Sequence, residues 1–208
     1  MLNRREDTFC ERLFSPWVDL DKILREKNIP LFSLESQENV KDADILGITL
    51  QYEMCYTNIL QVLELSQIPM YSKDRGEEYP IVIGGGPCSY NPEPLAPFFD
   101  IFYIGEGEVV YDKLLDLYKE CKSENLSKHE FLIKAAKVIF FLLQVFSTIS
   151  PSKDIASFFE RPSGTLILVA MFDCSFFKCG LYSMSNTLER SSKRNLVPIK
   201  ALLFSIVK

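Results

Sequence analysis

Up to about Lys137, apolar positions along the chain fall into blocks of two different periods. Asp44-Ile45-Leu46-Gly47-Ile48-Thr49-Leu50 is an apolar run bounded by polar residues, which predicts a strand buried on both faces. Pro80 to Gly84 and Asp100 to Ile104 repeat that pattern. Phe9 to Phe14 predicts a further short strand, half-buried because it carries Glu11 and Arg12, and Pro16 ends it. Between these runs the period becomes helical. Val18 to Lys27 sets Leu20, Ile23, Leu24 and Lys27 on or near one face and closes at Asn28 and Pro30, after which Leu31 to Leu34 is extended. Thr57 to Ser66 places Ile59, Leu60 and Leu63 together and stops before Pro69. Val109 to Cys121 carries Val110, Leu114, Leu117, Tyr118 and Cys121 as one stripe. Strands alternating with helices predict an α/β fold, a parallel sheet flanked by helices.

Ligands of open parallel sheets sit outside the carboxyl ends of the strands, where loops converge and helix N-termini offer free N–H groups. Three loops qualify: Gln51 to Thr57, Gly84 to Pro94, and Gly105 to Glu108. Gly84-Gly85-Gly86-Pro87 follows a strand directly, so the glycines permit either a ligand against bare backbone or a tight turn with none. Cys88 reads as a small loop-lining residue before it reads as a reactive thiol. Gly105-Glu106-Gly107-Glu108 lacks the full dinucleotide spacing and puts acids where a pyrophosphate would lie, so its carboxylates suit helix capping. Gln51-Tyr52-Glu53 is either a ligand loop or a solvated one. Glu53 with Glu106 is the one pair of acids at neighbouring strand ends that a carboxylate hydrolase could use.

Charge divides the chain. Residues 1–136 hold 24 acids and 14 bases, whereas 137–208 hold 4 acids and 9 bases, together with nine of the sixteen phenylalanines. That shift marks a boundary near Lys137. The net charge of −5 argues against a nucleic-acid surface. Six scattered cysteines and no signal peptide point to a reducing cytoplasm. The longest apolar runs fall short of the roughly 20 residues that cross a membrane, so a soluble protein with no membrane partner is expected. His129, the only histidine, stands between Lys128 and Glu130 and reads as a surface residue, which removes most histidine-based triads. Cys174 and Cys179, with four residues between them and no second pair, do not make a zinc or iron–sulfur site.

Pro80 through Cys88, Asn91-Pro92-Glu93-Pro94-Leu95 and Asp100 through Glu108 together resemble the cobalamin-binding-type domain of radical-SAM proteins. Phe14 to Asp19, Ile29 to Ser36 and Leu50 to Glu53 resemble an uncharacterised bacterial family in which this domain precedes a radical-SAM core. The resemblance covers residues 2–137 and implies a Rossmann-like, flavodoxin-like sheet. It implies that Gln51, Tyr52, Glu53, Gly84, Gly85, Gly86, Pro87, Cys88, Gly105, Glu106, Gly107 and Glu108 face a corrin or the neighbouring catalytic domain of the same chain. No Asp-x-His-x-x-Gly segment occurs, which agrees either with cobalamin held without a histidine beneath the metal or with no cobalamin at all. The 4Fe-4S cluster and S-adenosylmethionine belong, by the same resemblance, to the catalytic domain. Its Cys-x3-Cys-x2-Cys triplet is not in this sequence, so catalysis by this chain alone is not expected. The family's pattern has a strand and most of a helix before position 1, which predicts a sheet lacking a central strand. Past Lys137 the resemblance stops, and residues 138–208 read as an irregular tail, a frameshifted or otherwise non-native translation with no designed fold.

Overall fold

The computed structural model describes residues 2–105 and 107–137 and, by backbone alone, three strands of the C-terminal region. The expectation that residues 138–208 have no designed fold otherwise lies outside the described residues, as does the Cys174–Cys179 pair. Strands β1 (Thr8–Leu13), β2 (Ile45–Thr49), β3 (Ile81–Gly85) and β4 (Ile101–Ile104) come from the first region, with helices α1 (Val18–Lys27), α2 (Tyr56–Leu65) and α3 (Tyr111–Ser123). Residues 128–137 form a further helix, α4. Strands β5 (Phe158–Glu160), β6 (Leu166–Val169) and β7 (Ile199–Phe204) follow.

The centre is the parallel trio β2-β3-β4, and side-chain alternation along it builds two cores. Ile45, Ile81, Ile83, Ile101 and Tyr103 face α3 and α4, where Leu114, Leu117, Cys121, Phe131 and Ala135 meet them. Leu46, Ile48, Val82 and Phe102 face the other way, onto Leu24 of α1 and Ile59, Val62 and Leu63 of α2. Helices therefore cover both faces, as a Rossmann-like fold requires.

The whole sheet runs β1-β7-β2-β3-β4-β6-β5, and every pairing is parallel except β5 with β6. The position between β1 and β2, expected to be vacant, is taken by β7. Thr8 to Leu13 of β1 pair with Ile199 to Phe204, and Ile45 to Ile48 of β2 pair with Ala201 to Phe204. Apart from Lys200, β7 is an unbroken apolar run, as a strand flanked on both sides needs.

Two expectations about faces change in the structure. Only Leu24 of α1 is buried, while Leu20 and Ile23 stand 40% and 46% exposed, so the sheet beneath α1 accepts a narrower stripe than periodicity suggests. Glu11 of β1 is buried, with Ser36 Oγ donating to its Oε2 at 2.8 Å. Segment 33–35 covers the outer edge of β1: Leu34 N donates to Arg12 O at 2.9 Å, and Arg12 N donates to Glu35 Oε2 at 2.8 Å.

Candidate functional site

The three predicted loops follow β2, β3 and β4 at the carboxyl edge of the sheet, and the turn after β3 is bonded to the ends of both strands beside it. Leu50 N donates to Gly85 O at 2.6 Å, and Cys88 N donates to Leu50 O at 3.0 Å, which fixes the turn after β3 to the end of β2. Buried Ser89 donates through Oγ to Gly86 O at 2.5 Å and to Tyr103 O at 3.2 Å, which fixes the same turn to the end of β4. Sequence reasoning missed Ser89, whose role shows only once both carbonyls are in place.

The glycine run divides into distinct jobs. A Cβ on Gly84 would lie 3.0 Å from the Phe99 ring, so this glycine is required by core packing. Gly86 has φ +104°, and a Cβ there would approach Leu50 O to 3.0 Å. Gly85 is under neither constraint, its nearest neighbour being Tyr103 O at 3.6 Å. Core packing and the tight turn thus explain Gly84 and Gly86 in turn, without a ligand. Gly86 and Pro87 are exposed and Gly85 is half-buried. Gly105, with φ +137°, and Glu108 are exposed at the end of β4, where Gly107 lies against the Tyr111 ring. Glu106 lies outside the described residues, and with it the proposed Glu53–Glu106 pair.

Gln51 and Glu53 are exposed, and beside them Met54 is 81% exposed on the short turn Glu53–Cys55 that leads into α2. Tyr90 and Trp17 are likewise open to solvent, on the turns that follow β3 and β1. Pro16, next to Trp17, is fastened to α2 through its carbonyl, which accepts from Gln61 Nε2 at 3.4 Å. Large exposed apolar residues therefore stand at the carboxyl ends of three strands. None of the three was singled out from sequence, where an apolar residue in a loop has no distinguishing period.

Cys88 and Tyr56 touch each other at this edge. Burial raises the Cys88 thiol above its ordinary pKa, and Glu53 and Cys55 add to the effect. Burial and the same thiol also raise Tyr56. Burial and Glu53 both disfavour the thiolate form of Cys88. Among the described residues no group of three or more His, Cys, Asp or Glu is placed to hold a metal ion. His129 is exposed at the start of α4.

A cleft of about 680 Å³ lies at the opposite, amino end of the strands, lined by Asp44, Glu77, Tyr118, Lys122 and Phe131 among others. Its polar groups are engaged with one another: Asp44 accepts from Tyr118 Oη at 3.0 Å and from Lys122 Nζ at 2.5 Å, and Glu77 caps Lys128 N at 2.8 Å. No helix among the described residues is long and apolar enough to cross a membrane.

A parallel sheet wrapped by helices on both faces, with the turn after β3 tied to the ends of the strands beside it, is a Rossmann-like α/β domain. The chain belongs to the family described as the N-terminal region of radical SAM proteins, which matches residues 1–142, and it is thus an accessory region of larger radical SAM proteins. Over 87 residues it is 37% identical to an uncharacterized protein of Methanocaldococcus jannaschii, a stretch covering 40% of this chain and 18% of that protein. The chain therefore spans less than a fifth of that archaeal relative's length in the matched stretch. No solved structure matches the chain.

Proposed function

We propose that the domain is a cobalamin-binding-type module of the cytoplasm, which presents its carboxyl edge to a radical-SAM catalytic domain in the same protein. The observation that carries this reading is the convergence of three strand-end loops, joined through Leu50, Gly86 and Ser89, beside exposed Met54 and Tyr90. A corrin is broad and apolar with a fringe of amides, and it suits a surface of this kind. Gly85, Gly86 and Gly105 would offer bare backbone to the ring, Met54 and Tyr90 apolar contact, and Gln51 and Glu53 partners for the amide fringe. Bound cobalamin would supply a metal centre for group or electron transfer. The iron–sulfur cluster and S-adenosylmethionine would come with the catalytic domain. The domain itself orients the cofactor and shields one face of it from water.

Titrating the full chain with hydroxocobalamin tests the reading through visible absorbance, melting temperature and the emission of Trp17, the sole tryptophan. Saturable binding that raises the melting temperature supports it. A folded protein that responds in none of the three overturns it.

A second reading, docking without a small molecule, is favoured by the glycines: packing and backbone conformation account for Gly84 and Gly86 with no ligand. It predicts that Trp17 emission shifts to the blue when the catalytic region is added in trans without cobalamin.

A further inference from the structure

The two strands that flank β7 are each held to the body of the domain by contacts that do not involve β7. For β1, Asp7, just before the strand, accepts from Arg5 Nε at 3.0 Å and Lys119 Nζ at 3.1 Å, while Arg5 also pairs with Asp112 at 3.2 Å and with Asp116. Asn3 brackets Cys10 by accepting from its N–H at 2.6 Å and donating to its carbonyl at 2.9 Å. The outer edge of β1 is bonded to Leu34 and Glu35, and its Leu13 is sunk in the core with Leu24 and Leu31. For β2, the ladder to β3 and the packing of Leu46 and Ile48 do the same. The two rails thus each have anchors of their own apart from β7.

What lies between them is β7, the last of the described strands in sequence. Every element that builds the rails precedes β7 in sequence, so the rails are complete before the strand that joins them exists. Glu11 Oε1, on the β1 rail, is buried without a hydrogen-bond partner.

We infer that the gap between β1 and β2 is an acceptor site for one parallel, apolar strand, and that residues 199–204 of the same chain are its removable insert. Opening would expose the facing N–H and C=O groups of β1 and β2 while β3, β4 and the four helices stay folded. The domain would then have two states that differ by the position of one strand.

Two measurements on the full chain test this. In a Cys10→Ser background, Phe9→Cys with Lys200→Cys places thiols at register partners, whereas Phe9→Cys with Ala201→Cys places them one residue out of register on opposite faces. Dibromobimane should bridge the first pair within a single chain and not the second. Absence of the bridge in the first pair, or a bridge formed only between two chains, would overturn the proposal. Hydrogen exchange gives the second readout. In the unmodified chain, peptides covering 8–13 and 45–49 should exchange at least about tenfold faster than those covering 101–104, as a separately opening unit does. Leu202→Pro, which removes a ladder donor from the middle of β7, should remove the remaining protection of the amides of 8–13 and 45–49 that face β7, and leave the amides of β2 that face β3, and those of 81–85 and 101–104, protected. Unchanged protection of β1 and β2 in that variant would mean that β7 does not fill the gap. Loss of protection across β3 and β4 as well would mean that it is an integral strand rather than an insert.

Discussion

Lys128 Nζ lies 3.0 Å from Asp100 Oδ1, in a buried site at the amino end of β4 that also receives Arg75 Nη2 at 3.3 Å. Ser72 Oγ donates to the same oxygen, and Val82 N donates to Asp100 Oδ2 at 2.8 Å. One carboxylate thus holds the loop before β3, the strand itself and the first residue of α4. Removing it leaves two buried cations without a counter-charge, so Asp100→Asn should cost about 3–5 kcal/mol in urea unfolding. Because burial lowers the Lys128 pKa, the unfolded chain binds more protons than the native one as Lys128 titrates. Stability from this group therefore rises with pH between its depressed value and that of a free lysine. Lys128→Met should flatten that alkaline slope.

Asp7 gives the opposite limb. Its contact with Arg5, aided by Lys119, holds its carboxyl down at about 2, so its contribution is complete above the ordinary carboxylate range and disappears as pH falls from about 4 to 2. Asp7→Asn should lower stability at pH 7 by no more than about 1 kcal/mol, since Arg5 and Lys119 are partly in water, and should reduce the loss between pH 4 and pH 2. Urea midpoints at the three pH values decide it.

The three glycines at the end of β3 and just beyond it should respond differently to alanine. Gly84→Ala forces a methyl against Phe99, and Gly86→Ala puts a Cβ on a residue with positive φ, so each should cost about 1–3 kcal/mol. Gly85→Ala should leave the melting temperature nearly unchanged. If a corrin rests on this backbone, Gly85→Ala should still weaken hydroxocobalamin binding, which separates a ligand role from a packing role in one variant.

Thiol chemistry should follow the environments of the cysteines. Burial pushes Cys10 up to about 11, and Cys88 is raised as well. At pH 8, alkylation of Cys10 by iodoacetamide should be about a hundredfold slower than that of a free thiol with a pKa near 8.5. Peptide mapping over time measures it, and a fast Cys10 would contradict the buried setting of β1.

Much of the sheet was legible because its strands are buried on both faces. Ile45 to Thr49 and Ile81 to Gly85 are apolar at every position except glycine and the terminal threonine, and no other element tolerates that pattern at that length. The face of α1 was not legible, because periodicity says which residues align and not how much sheet lies below them. Helix α4 was passed over since its first turn, Lys128-His129-Glu130, is polar, while Phe131, Leu132, Ala135 and Ala136 carry its burial. The strand–helix alternation put the three candidate loops after the segments that form β2, β3 and β4, which run parallel. What ties the turn after β3 to β4 was not visible, because Ser89 bonds the carbonyl of Gly86 in its own turn and that of Tyr103 in β4, and neither sequence position advertises its partner.

Ser89 has one more consequence. A turn bonded to the ends of two neighbouring strands cannot be repositioned without disturbing both, so the stretch from Gly84 to Ser89 forms a stiff floor under whatever meets this edge. Adaptation to a different ligand or partner would have to proceed at its margins, at Gln51, Glu53, Met54 and Tyr90, where side chains reach solvent.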